Sequence, residues 1–279
     1  MIVAAITFAG GKLDPHPEET HPRLKLANYL SVTPAVPAVV DWASQVTAWP
    51  MYKNDTIGDC TCASAGHQVQ AWTTYGEGET VTLTDDDVLA LYEEVSGYNP
   101  VTGQNDNGAV GQDVLAYIEA HGIGGHKIVA YAQVNHKDLA EMKQALYIFG
   151  SLYAGIQCPY SALQQAGAGQ PWSVVPGAQI DGGHAIPIQK WDADYIYCVT
   201  WGKLQPMTPE FWQTYGDEAW VVITEDWISK QTGLSPDGLD LDALLKDFAQ
   251  LTGVVVTPEQ PPVHKKTCPV LDWFRRLFS

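Results

Sequence analysis

The stretch Asn54–Trp72, "NDTIGDCTCASAGHQVQAW", carries two cysteines separated by one residue, shortly after a glycine. From Cys62 to Trp72 the apolar residues recur at helical spacing, which predicts a helix that begins at Cys60. Cys60 then lies at the helix N-terminus, where the helix dipole stabilises a thiolate and lowers its pKa. The pattern therefore favours chemistry at Cys60 and packing at Cys62.

Two other interpretations of the cysteine pair are weaker. A structural zinc site needs a second pair of ligands at comparable spacing, and the sequence has none. A redox pair usually has two residues between its cysteines, whereas one residue separates Cys60 from Cys62. We therefore expect no metal and no cofactor, and a nucleophilic cysteine is the remaining hypothesis.

A nucleophilic thiol needs an imidazole as its proton partner. His67 is unsuitable, because seven residues along the same helix correspond to about 10 Å. His184 is the better candidate, since in "DGGHAIPI" it follows two glycines at the start of a predicted strand.

Composition limits the classes of partner. The chain has 279 residues, 46% of them hydrophobic, and a formal net charge of −17, which argues against nucleic-acid binding. The apolar N-terminus is too short for a membrane span and lacks the basic start of a signal peptide. We expect a cytoplasmic or virion-associated protein.

The order of predicted elements, helices first and strands later, indicates an α+β fold. The predicted regions are an N-terminal extension (1–36), a main domain (37–231) with a helical half (37–126) and an antiparallel sheet half (127–231), a C-terminal helix (232–256), and a Pro-rich linker with a basic, aromatic tail (257–279). Within the sheet half, residues 160–182 are rich in Gly, Gln and Pro and predict a loop.

Several segments, in the correct order, resemble the papain family of cysteine peptidases from about Pro37 to Ile223. They are "VPAVVDWASQVTAWPMYKNDTIGDCTCA", "NDNGAVGQDVLAYIEAHGI", "MKQALYIFGSLYAGI" and "HAIPIQKWDADYIYCVTWG". The resemblance implies a papain-like fold, with the cysteine on the helical half and the histidine on the sheet half.

The resemblance also implies catalytic roles. Cys60 would be the nucleophile and His184 the general acid/base. The family's oxyanion-hole amide falls on Asn54, with Asp55 as the alternative if one residue is inserted, and the Cys60 backbone N–H would be the second donor. Trp201 would shield the histidine from water.

One family residue, the asparagine that orients the imidazole, is missing. Depending on the alignment, Val199 or Thr200 stands in its place. Only Thr200 could form a hydrogen bond with the ring, and neighbours on a strand face opposite ways.

The sequence supports two functions. The first is a papain-like thiol hydrolase that cleaves peptide or isopeptide bonds in a peptide or protein substrate. The alternative is a weak or inactive papain-like scaffold that serves as a phage virion or binding protein, with the amphipathic tail 264–279 docking on a protein partner.

Overall fold

The computed structural model describes residues 10–17, 35–236 and 238. Its helices are α1 (Cys60–Trp72), α2 (Asp85–Ser96), α3 (Gly111–His121), α4 (Leu139–Phe149), α5 (Tyr160–Gly167) and α6 (Pro209–Tyr215). The strands are β1 (Lys12–Leu13), β2 (Val40–Asp41), β3 (Ala109–Val110), β4 (Ile128–Gln133), β5 (Leu152–Pro159), β6 (Ile180–Trp191), β7 (Ile196–Thr200), β8 (Lys203–Met207) and β9 (Gly216–Thr224). A π-helical turn (Thr73–Glu77) extends α1, and a 3₁₀ turn (Glu225–Trp227) follows β9.

The strands form one large antiparallel sheet and one small parallel pair. The large sheet has the order β4-β9-β5-β6-β7-β8, and β2 pairs separately with β6. The parallel pair joins β1 to β3, so it connects the N-terminal segment to the helical half. The α+β class predicted from the sequence is confirmed, with the helices before β4 on one side and the sheet on the other.

Helix α1 lies between the two halves and is buried on every side. Its polar side chains are satisfied inside the protein: Gln68 Nε2 donates to Ser151 Oγ at 3.1 Å, and Gln70 Nε2 donates to the carbonyl of Ala48 at 3.1 Å. The sequence predicts only one apolar stripe on this helix. The remaining faces are also covered because β6 packs along the helix, and Gln189 of that strand donates to the carbonyl of His67.

Residues 160–182 differ from the predicted loop, because α5 occupies the first third of them. Ser161, Ala162, Leu163 and Ala166 are buried, which gives α5 an apolar face with helical periodicity. Pro159 stands at the N-cap position, where its missing N–H is not needed. The glycines and prolines in the rest of residues 160–182 led to the prediction of a loop over the whole segment.

Two further elements follow local signals in the sequence. Thr84 caps α2 in a capping box with Asp87, as the run of acidic residues in "TDDDV" indicates. Strands β6 and β7 pair antiparallel on either side of the short turn "DAD" (192–194). Strand β8 and helix α6 were not predicted from the sequence.

Some predictions lie outside the described residues. These are the whole of the linker and tail (257–279) and most of the C-terminal helix (232–256), of which only residues 232–236 and 238 are described. In the parts of the chain that the structure does describe, no helix has the length and hydropathy needed to cross a bilayer.

Candidate active site

Cys60 is the first residue of α1, and its thiol faces β6. The turn before the helix is fixed by the Gly58 N–H, which donates to Asp106 Oδ1 at 2.8 Å. The backbone N–H of Ala185 donates to Cys60 Sγ at 3.4 Å. Because Ala185 directly follows His184, the thiol lies beside the part of β6 that carries the histidine.

His184 is held by two consecutive residues at the end of β7. Its Nε2 lies 2.8 Å from Thr200 Oγ1, and its ring stacks on Trp201 with centroids 4.9 Å apart and planes 15° apart. Trp201 has a φ of 46°, a conformation that bulky residues rarely adopt. Of the two candidates for the missing asparagine, the structure therefore brings Thr200, and not Val199, to the imidazole.

Asn54 and Asp55 have different environments in the turn before α1. Asn54 is buried and donates from Nδ2 to Asp59 Oδ1 at 3.1 Å, whereas Asp55 is exposed. Burial raises the pKa of Asp59 well above its ordinary value, although the hydrogen bond from Asn54 opposes the shift. Asp59 is a polar neighbour of the site that the sequence analysis missed, and its position beside the cysteine was the available signal.

The N-terminal segment 10–17, here named the arm, covers the thiol. The Gly11 carbonyl accepts a 2.7 Å hydrogen bond from the Ala109 N–H, and the Gly11 backbone N–H lies near enough to the Cys60 sulfur to lower the pKa of the thiol. A Cβ on Gly11 would lie 1.7 Å from the carbonyl oxygen of Gly58, so no other residue fits the arm at this point. The next residue, Lys12, is buried and extends toward β9.

The covered thiol does not have the lowered pKa that the sequence predicts. Burial raises the pKa of Cys60 to about 11, and the backbone N–H groups of Ala185 and Gly11 offset only part of that shift. Burial likewise lowers the pKa of His184 to about 3. With the arm in place, both groups are therefore neutral near pH 7, and the helix dipole is outweighed by desolvation.

No protein-family model matches the sequence, and no curated protein matches it either. Solved structures do match its fold. Xylellain, a cysteine protease from Xylella fastidiosa, superposes with a TM-score of 0.60 at 15% identity, over 77% of this chain and 96% of that protein.

Two structures of precursor forms also match the chain. The ragweed pollen cysteine protease Amb a 11, solved in its proform, gives a TM-score of 0.53 at 16% identity, over 70% of this chain and 68% of its own. A procathepsin B from Trypanosoma congolense gives a TM-score of 0.55 at 12% identity, over 81% of this chain and 89% of its own. Together with the element order above, these similarities establish that this chain has the papain-like fold of cysteine proteases.

Proposed function

We propose that this protein is a papain-like thiol hydrolase that cleaves peptide or isopeptide bonds through an acyl-enzyme on Cys60. The observation that carries the proposal is the contact between the thiol at the start of α1 and the Ala185 N–H, next to His184. This contact supports the proposal because it puts the thiol of one half of the fold next to the strand of the other half that carries the imidazole, and thiol-dependent hydrolysis needs both groups.

The reaction would proceed in two steps. His184 takes the proton of the Cys60 thiol, and the sulfur attacks the carbonyl carbon to form a tetrahedral oxyanion. The Cys60 N–H is free of an intrahelical acceptor because it belongs to the first turn of α1, and together with the Asn54 amide it would stabilise that oxyanion. Collapse breaks the C–N bond, the amine leaves with the proton from the imidazolium, and water then hydrolyses the thioester.

Thr200 and Trp201 would act on the histidine rather than on the substrate. The Thr200 hydroxyl holds Nε2, so Nδ1 is the nitrogen that we assign to proton exchange with the thiol. The imidazolium that forms can donate from Nε2 to the hydroxyl oxygen. The indole of Trp201 covers one face of the ring and limits its contact with water.

Trapping the acyl-enzyme tests the proposal. The full chain is mixed with an activated peptide ester, quenched in acid within seconds, and mapped by mass spectrometry. We expect one acyl group as a thioester on Cys60 and none on Cys62, together with a burst of released alcohol. Steady ester hydrolysis without any adduct on Cys60 would contradict the proposal, because another group would then perform the chemistry.

Thr200→Val should lower kcat by roughly 10- to 100-fold with little change in KM, because the imidazole loses the group that orients it. Thr200→Ser keeps the hydroxyl and is the matched variant that should retain most of the activity. The measurement is the pH dependence of kcat for both variants. If Thr200→Val and Thr200→Ser are equally active, the hydroxyl has no role in positioning the histidine.

A further inference from the structure

A lysine of the arm is buried in an anionic pocket next to the site. Lys12 Nζ lies 3.1 Å from Asp217 Oδ2 and 3.1 Å from Glu218 Oε1. The side chains of Lys12 and Glu218 have no exposed surface, and that of Asp217 is 22% exposed. Burial lowers the pKa of Lys12, but the two carboxylates raise it by more, so the net shift is upward and the pocket holds a cation.

The two carboxylates are oriented by groups other than the lysine. Trp220 Nε1 donates to Glu218 Oε2 at 2.8 Å, and Gln157 Nε2 donates to Asp217 Oδ2 at 2.7 Å. These partners belong to β9 and β5, which are paired in the centre of the large sheet. The sheet therefore supplies both orienting groups, although Gln157 Nε2 also donates to Asp14 Oδ1 of the arm at 3.3 Å.

Glycines make room for the occupant. A Cβ on Gly155 of β5 would lie 2.5 Å from Lys12 Cε, and one on Gly183 of β6 would lie 2.2 Å from the Lys12 carbonyl oxygen. The first glycine opens a channel for an aliphatic stem, and the second lets an extended backbone lie against the strand. The channel ends at the two carboxylates, so its shape suits an unbranched chain with a terminal cation.

Without a cationic occupant, the pocket would hold two carboxylates and no compensating positive charge. Two carboxylates face one ammonium group, and in the described parts of the chain Lys12 is the only basic side chain in ion-pair contact with either of them. A substrate that reaches Cys60 must displace the arm, because Gly11 and Lys12 lie across the same cleft. Glu218 then loses the ammonium group of Lys12, and a buried carboxylate without a cationic partner is strongly disfavoured.

We propose that Asp217 and Glu218 form a subsite for a basic side chain of the substrate, lysine by preference, which Lys12 of the arm occupies in this structure. The inference rests on the proposed function, because it names the substrate class of that same site. A peptide with a lysine at this position would replace the arm residue for residue and restore the charge pairing. A peptide with a neutral side chain of equal length would fill the channel and leave both carboxylates without a cation.

The test compares two peptide substrates that differ only in lysine or norleucine at the residue that enters the pocket. The residue is placed at each position near the scissile bond in turn, and kcat/KM is measured with the full chain. The arm competes equally with both peptides, so the ratio of their kcat/KM values does not depend on the arm. We expect at least a 30-fold preference for lysine at one position, and at least a 10-fold smaller preference in Glu218→Gln.

Glu94→Gln is the control, since it removes an exposed carboxylate on α2 and should leave the ratio unchanged. If Glu218→Gln accelerates the hydrolysis of both peptides equally, the carboxylates only anchor the arm, and the subsite proposal is wrong. Equal kcat/KM for lysine and norleucine at every position in the wild-type chain would also overturn it.

Binding to the Cys60→Ser chain separates this inference from the proposed function. Fluorescence anisotropy of the same labelled peptides should again favour lysine, and Glu218→Gln should remove that preference. Lysine-selective binding without hydrolysis by the wild-type chain would support the subsite and refute the hydrolase. Hydrolysis without any lysine selectivity in rate or binding would refute the subsite alone.

Discussion

Replacing Gly11 with alanine in the full chain should expose the Cys60 thiol and raise its rate of alkylation by iodoacetamide at pH 7. The new Cβ would lie 1.7 Å from the carbonyl oxygen of Gly58 and 2.3 Å from its carbonyl carbon. Both are backbone atoms that cannot rotate away, so the arm has to move off the site. Water then reaches the thiol, and its pKa falls from about 11 toward the value of an exposed cysteine.

The size of this effect follows from the two pKa values. A fall from about 11 to about 8.5 raises the thiolate fraction at pH 7 about 300-fold. The less basic thiolate is intrinsically slower by about 10-fold, so we expect a net acceleration of roughly 20- to 30-fold, before any gain in access. The gain in thiolate outweighs the loss in nucleophilicity, and the pH at half-maximal alkylation should move to lower pH.

The control is Gly167→Ala at the end of α5, where an added Cβ has no neighbour within 4 Å. It should leave the alkylation rate of Cys60 unchanged. The pKa of His184 should rise from about 3 when the arm leaves, which makes the thiolate–imidazolium pair accessible near neutral pH. An alkylation profile of Gly11→Ala that matches the wild-type profile would mean that the arm does not control the thiol.

Cys60→Ser should abolish peptide hydrolysis, with a fall in kcat of about 10⁴-fold or more, because the proposed reaction has no other nucleophile. The serine hydroxyl has nearly the same shape but a far higher pKa, and His184 cannot activate it to a comparable degree. The measurement is kcat on a lysine-containing peptide, with thermal unfolding recorded to show that the fold is retained.

Cys62→Ala is the matched control for this loss. Cys62 is fully buried in the helical core two residues further along α1. The loss of its sulfur should cost about 1 kcal/mol in the free energy of unfolding and leave kcat nearly unchanged. Comparable activity in Cys60→Ser and the wild-type chain would end the hydrolase proposal and favour the scaffold alternative.

The start of α1 could be predicted from the sequence because its pattern is local. The glycine before the cysteines and the helical spacing up to Trp72 together place Cys60 at a helix terminus. A strand position for His184 follows in the same way from "DGGHAIPI", but its place at the strand start was wrong, because β6 begins four residues earlier at Ile180. Strand alternation left the choice between Val199 and Thr200 open, because only the tertiary structure shows which of these side chains reaches the His184 ring.

The pocket around Lys12 could not be predicted, since its partners lie more than two hundred positions away along the chain. The only local trace is "GDEAW", where two acids open a strand that is otherwise apolar. The sequence predicts a lowered pKa for Cys60, whereas burial raises it, and this error also comes from contacts between distant parts of the chain. The helix dipole is a local effect visible in the sequence, whereas desolvation comes from a distant segment folded over the thiol.

The burial of the Cys60 thiol also affects how readily the sulfur is oxidised. Oxidants attack the thiolate rather than the thiol, and with a pKa of about 11 only about one Cys60 in ten thousand is ionised at pH 7. While Gly11 lies over the sulfur, peroxide therefore has almost no reactive sulfur to convert to sulfenic acid. The arm therefore protects the thiol from oxidation, and Cys60 becomes vulnerable to oxidants only when the arm leaves the site.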